Sequence, residues 1–73
     1  MMPITMVSSG SSVKVSRVAG SGKTKQRLAE LGFAPGTLID VIQSHGGNMI
    51  VRVKDSKLAL TREMANKIMV DSL

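Results

Sequence analysis

The sequence predicts a mainly β fold: a small β-barrel with one inserted α-helix and a short helical turn before the last strand. Three observations carry this. Apolar and polar residues alternate over residues 13–16, Met49, Val51 and Val53 fall on one face of the next such segment, and Leu58 and Leu60 repeat the spacing, the two-residue period of half-buried strands. Residues 23–31 switch to helical spacing. Glycine-containing turns separate these segments at short intervals. At 73 residues the chain has room for one domain with one small core.

The elements follow in order. Ser8-Ser9-Gly10-Ser11-Ser12 reads as a flexible run, so residues 1–11 are expected to form a loose leader and residues 12–73 the domain. Val13-Lys14-Val15-Ser16 begins the first strand; the phase slips at Arg17, which predicts a bulge or the strand end. Gly20-Ser21-Gly22 breaks the chain, and Ser21 is placed to cap the helix over residues 23–31. Leu28 and Leu31 share the buried face of that helix. Gly32 suits the left-handed position after its end, Phe33 then folds back on Leu28, and Pro35 prevents the helix from resuming.

Pro35-Gly36 fits the centre of a type II turn. Residues 38–43 are apolar at both parities apart from Asp40, predicting a strand covered on both faces. His45-Gly46-Gly47-Asn48 is a turn, and Met49, Val51 and Val53 line one face of the next strand. Asp55-Ser56 connects to a strand holding Leu58 and Leu60. Thr61 caps a helical turn running to Asn66, and residues 68–70 form the last strand.

Composition narrows the function. No cysteine is present, so disulfides and thiolate metal sites are excluded, and the single histidine, His45, excludes zinc sites that need two. The one aromatic residue, Phe33, leaves no ring platform for stacking bases, which argues against a nucleic-acid-binding barrel despite a net charge of +5. All of that charge lies early. Residues 1–29 carry Lys14, Arg17, Lys23, Lys25 and Arg27 and no acid, whereas the bases and acids of residues 30–73 cancel. Such asymmetry predicts a docking face for an anionic partner, with Arg17, Lys23, Lys25 and Arg27 as its contact residues. No signal sequence or membrane-length apolar run is seen, so a cytoplasmic location is expected.

Gly20-Ser21-Gly22-Lys23-Thr24 imitates the end of a phosphate-binding loop, but the glycine that the full motif needs five residues before Gly22 is Arg17. No nucleophile, base and orienting group can be assembled, so no enzyme, catalytic residue or cofactor is expected. His45 with Asp40 or Asp55 supplies at most two metal ligands, and Met49, Met64 and Met69 fit apolar positions. A ferrous-metal chaperone or sensor is the weaker alternative, requiring two copies to pool their His45 side chains. An open edge strand would admit a homodimer.

From Val13 onward the chain resembles the FeoA domain, an accessory protein of bacterial ferrous iron transport. The likeness rests on Arg27-Leu28-Ala29-Glu30-Leu31-Gly32-Phe33-Ala34-Pro35-Gly36-Thr37, followed by Ile50-Val51-Arg52-Val53, Leu58-Ala59-Leu60 and Ala65-Asn66-Lys67-Ile68-Met69-Val70. The resemblance implies an SH3-like barrel with the helix between its first two strands. It implies a partner, the FeoB ferrous iron transporter with its cytoplasmic G-protein domain, and contact with the membrane only through that partner. Similar domains end the DtxR-type repressors, whose DNA-binding region this sequence lacks. Within the motif, Leu28, Leu31, Gly32, Phe33, Pro35 and Gly36 are assigned to the fold. An arginine finger acting on the partner's nucleotide would draw on Arg17, Arg27, Arg52 or Arg62, with none singled out.

Overall fold

A computed structural model describes residues 1–20 and 22–73. Among them are strands β1 (Met2–Pro3), β2 (Ser12–Val18), β3 (Leu38–His45), β4 (Asn48–Val53), β5 (Ser56–Leu60) and β6 (Ile68–Ser72), with helices α1 (Gly22–Glu30) and α2 (Arg62–Ala65). A single turn of 3-10 helix, Ile4–Met6, follows β1. The strands form one antiparallel sheet in the order β1-β6-β2-β3-β4-β5. The sheet curls around its own inner face, and α2 packs against the 3-10 turn, β4 and β5 to close the gap between its edges.

The two-residue period sorts the side chains. Val13 and Val15, Ile39 and Val41, Met49, Val51 and Val53, Leu60, and Ile68 and Val70 all point inward and are buried. Leu28 from α1 and Phe33 from the turn after it plug one end of this core. Each buried side chain of this size stabilises the fold by about 1.5–3 kcal/mol.

The end of α1 has the predicted geometry. The Phe33 amide donates to the Leu28 carbonyl and the Gly32 amide to the Ala29 carbonyl, both at 3.0 Å, which is the Schellman pairing. Gly32 holds φ +107°, and a β-carbon there would sit 3.1 Å from Val53 Cγ1. The Pro35-Gly36 turn closes with the Thr37 amide on the Ala34 carbonyl at 3.0 Å. It is then stitched to β2, where the Gly36 amide donates to the Val15 carbonyl (2.8 Å) and the Val15 amide to the Thr37 carbonyl (2.9 Å). The predicted bulge is also present: Val15 pairs with Val70 and Arg17 with Met69, leaving Ser16 unmatched. Thr61 caps α2, its hydroxyl accepting from the Met64 amide at 3.3 Å. The expected cap at Ser21 lies outside the described residues.

Three expectations are corrected. Residues 1–11 are not a loose leader. Ile4 is fully buried and Val7 is 8% exposed, so both belong to the core, and β1 extends the sheet by pairing with β6. The serine run is tied to β3 as well: the Gly10 amide donates to the Val41 carbonyl at 2.7 Å and the Ser44 amide to Ser9 Oγ at 3.1 Å. Polar composition suggested freedom here, but the serines supply acceptors and Gly10 a compact backbone.

The second correction concerns β3, which is covered on one face only. Ile39 and Val41 are buried, whereas Leu38 is 58% and Ile42 38% exposed. A bulge is the reason for Ile42: Val41 pairs with Val51 and Gln43 with Ile50, so Ile42 is the extra residue. Finally, the β4–β5 turn is centred one residue early, on Lys54 and Asp55, because Ser56 already pairs with Val53.

Candidate partner-binding surface

The four basic residues expected to meet a partner are all exposed. Among the described residues the one ion pair joins the Met1 amino group to Asp71 at 3.1 Å, so no carboxylate within 4.0 Å neutralises Arg17, Lys23, Lys25 or Arg27. The fold does not gather them on one face, however. Successive residues of a helix turn about 100°. With Leu28 buried, Lys25 falls on one flank of α1, while Lys23 and Arg27, four residues apart, fall on the other.

Lys25 instead shares a groove with Arg17. The bulge at Ser16 turns Arg17 out of the β2 alternation, and a shallow groove of about 190 Å³ forms between that strand end, α1 and the turn after it. Arg17, Val18, Lys25, Ala29, Phe33, Ala34 and Pro35 line it. Ala29 stands one helical turn beyond Lys25, so the same flank carries a cation and then a small apolar residue. Phe33 is held in the floor by the Schellman turn. The groove has an apolar floor, a cationic rim and no acid.

Sequence reasoning missed Ala29, Ala34 and Val18 as part of this surface, since small apolar residues carry no charge signal. Lys67 lies outside the groove, beside the loop that leads into α1. The Lys67 side chain passes under the loop before α1, where a β-carbon on Gly20 would lie 3.4 Å from its Cδ. The Ala19 amide donates to the Lys67 carbonyl at 2.6 Å.

The remaining candidates separate. Arg62 is occupied: its guanidinium donates to the Gly46 carbonyl at 3.0 Å and its backbone amide to Asn48 Oδ1 at 3.1 Å. It lies over Gly47, where any β-carbon would collide with Arg62 Nε. Arg52 sits across from Asp40 on β3 and Lys57 on β5. Asp40 in turn accepts from Ser12 Oγ at 2.6 Å. Arg52 is exposed and, among the described residues, makes no ion pair or side-chain hydrogen bond, so Arg17, Arg27 and Arg52 are the arginines free to reach out. His45 is exposed and lines a second groove of about 340 Å³ with Gln43, Met49, Ile50, Ala59 and Leu60, which contains no carboxylate. Among the described residues no three His, Cys, Asp or Glu side chains come together. No helix among the described residues is long and apolar enough to cross a membrane.

Known proteins share both sequence and fold with this chain. The FeoA domain family profile matches residues 2–72. The Fe(2+) transport protein A assigned in Methanocaldococcus jannaschii is 32% identical over 71 residues, covering 97% of this chain and 87% of its own length. A crystal structure of an iron uptake regulatory protein, FeoA, superposes with a TM-score of 0.87 at 26% identity, covering 99% of this chain and 96% of that one. The zinc complex of Stenotrophomonas maltophilia FeoA, described as an SH3 domain protein, gives 0.86 at 25% identity over 97% and 91%. A manganese-dependent transcriptional repressor complexed with manganese has the same fold at 18% identity and a TM-score of 0.89, with 36% of its own chain covered. The curled sheet is therefore SH3-like, and the chain belongs to the FeoA domain family of ferrous iron transport accessory proteins.

Proposed function

We propose that this chain is a cytoplasmic, non-enzymatic docking module that binds and modulates the FeoB ferrous iron transporter through the surface around α1. One observation carries the reading: the whole net charge of +5 sits in the first 29 residues, and its exposed members meet no carboxylate among the described residues. An unneutralised basic surface on a member of a ferrous iron transport family fits an acidic patch on the transporter's cytoplasmic side. Ferrous iron is the partner's cargo in this reading, not a ligand of this chain. Titrating ferrous iron into the protein anaerobically should accordingly release no binding heat; a saturable, stoichiometric isotherm would replace docking with a chaperone role.

The direct test follows backbone amide shifts of labelled protein as the cytoplasmic G-domain of the cognate FeoB is added, with and without a GTP analogue. Shifts confined to residues 17–36 are expected. In cells, reversing Lys23, Lys25 and Arg27 together should reduce FeoB-dependent iron uptake, and unchanged uptake would remove these residues from the interface.

A further inference from the structure

We propose that the groove between β2, α1 and the turn after α1 receives one aliphatic side chain of an acidic peptide segment, whose flanking carboxylates are held by Arg17 and Lys25. The inference rests on the docking reading above and narrows it to one flank of α1 and one partner chemistry. Size comes first. Sites for small molecules run to about 300–1,000 Å³. This groove, at about 190 Å³, is too small for a cofactor and suits a single side chain.

Lining comes second. The side chains of Ala29, Ala34, Pro35 and the buried Phe33 offer nothing to hydrogen-bond, so the occupant's inserted group is apolar. The rim then sets the charge. Arg17 presents a planar fork of donors that matches a carboxylate, Lys25 adds a second cation, and the lining contains no acid. Interfaces concentrate their affinity where an arginine borders a well-packed apolar pocket. Lys23 and Arg27, on the other flank, take no part.

The probe is an acetylated, amidated pentapeptide, Glu-Asp-Leu-Asp-Glu, titrated into the labelled full chain. Amide shifts are expected at Val18, Lys25, Ala29, Phe33 and Ala34. Serine in place of the leucine, or amides in place of the acids, should each weaken binding by about tenfold, the effect of one lost apolar contact or charge-assisted pair. Ala29→Leu fills the groove without touching its charge; because position 29 is exposed and helical, the variant keeps its fold, checked by its own spectrum. It should abolish the peptide shifts.

Equal binding of the leucine and serine peptides, or undiminished binding by Ala29→Leu, would overturn the groove. So would binding to vesicles of phosphatidylglycerol and phosphatidylcholine that persists in Ala29→Leu and competes with the peptide, since the cations would then serve a lipid surface. The G-domain separates the two proposals. If Ala29→Leu loses the peptide but still binds the G-domain, docking stands and this groove is not its place. If the peptide behaves as expected while the native protein ignores the G-domain, the groove stands and its partner is another acidic protein.

Discussion

Gly32 and Lys54 both have left-handed backbones, with φ +107° and +58°, and substitutions at them should move stability in opposite directions. Gly32→Ala forces a β-carbon into that conformation, which costs about 1–2 kcal/mol, and crowds Val53 as well. Lys54→Gly relieves a similar strain at the first central residue of a hairpin turn, where glycine is favoured, and loses part of the gain to unfolded-chain entropy; a net rise of about 0.5–1 kcal/mol is expected. Urea titration with unchanged slope should show the first midpoint falling and the second rising. Only the first site was legible in the sequence. A helix followed by Gly, two residues and Pro announces its backbone, whereas lysine carries no turn signal, and the turn was read one residue late.

At the scale of elements, the surface depends on how α1 is rolled against the sheet. Arg17→Glu with Lys25→Glu places two acids on the groove rim; Lys23→Glu with Arg27→Glu changes the charge equally on the opposite flank. Against the G-domain the first pair should weaken binding about tenfold more than the second, and the gap should narrow as salt rises. Equal losses would mean that net charge alone governs docking. The phase slip after Ser16 was readable from periodicity, but charge alone grouped Lys23, Lys25 and Arg27 as one face, which the helix, stepping about 100° per residue, divides. That Arg17 and Lys25 line one groove was not readable, because it depends on where the helix returns to the strand.

For the whole molecule, the first seven residues matter most. A domain of this size has a stability of roughly 0.05–0.15 kcal/mol per residue. Removing residues 1–7 strips Ile4 and Val7 from the core, about 3–6 kcal/mol by transfer alone, and leaves β6 without its outer neighbour. The shortened chain should therefore melt tens of degrees lower, at about 4–8 °C per kcal/mol, or fail to fold, as read by calorimetry. A chain melting unchanged would return the segment to the status of a tail. The signal was present in the apolar Ile4 and Val7, three apart, but the serine run masked it. Local polarity reports solvent preference, not whether a backbone finds partners on a neighbouring strand.

The stretch between Ala19 and Thr37 leaves the sheet at the Lys67 carbonyl and rejoins it at Val15, so both its ends are fastened to neighbouring strands. It is in effect an insertion into a finished scaffold, held by two pins, Leu28 and Phe33. Doubling the length of such an excursion costs only about 0.6 kcal/mol of closure entropy. Evolution can therefore lengthen or rewrite this excursion while the strands stay as they are, provided the two pins survive. On the docking reading, partner choice and foldability are thus heritable as nearly separate traits in this small chain.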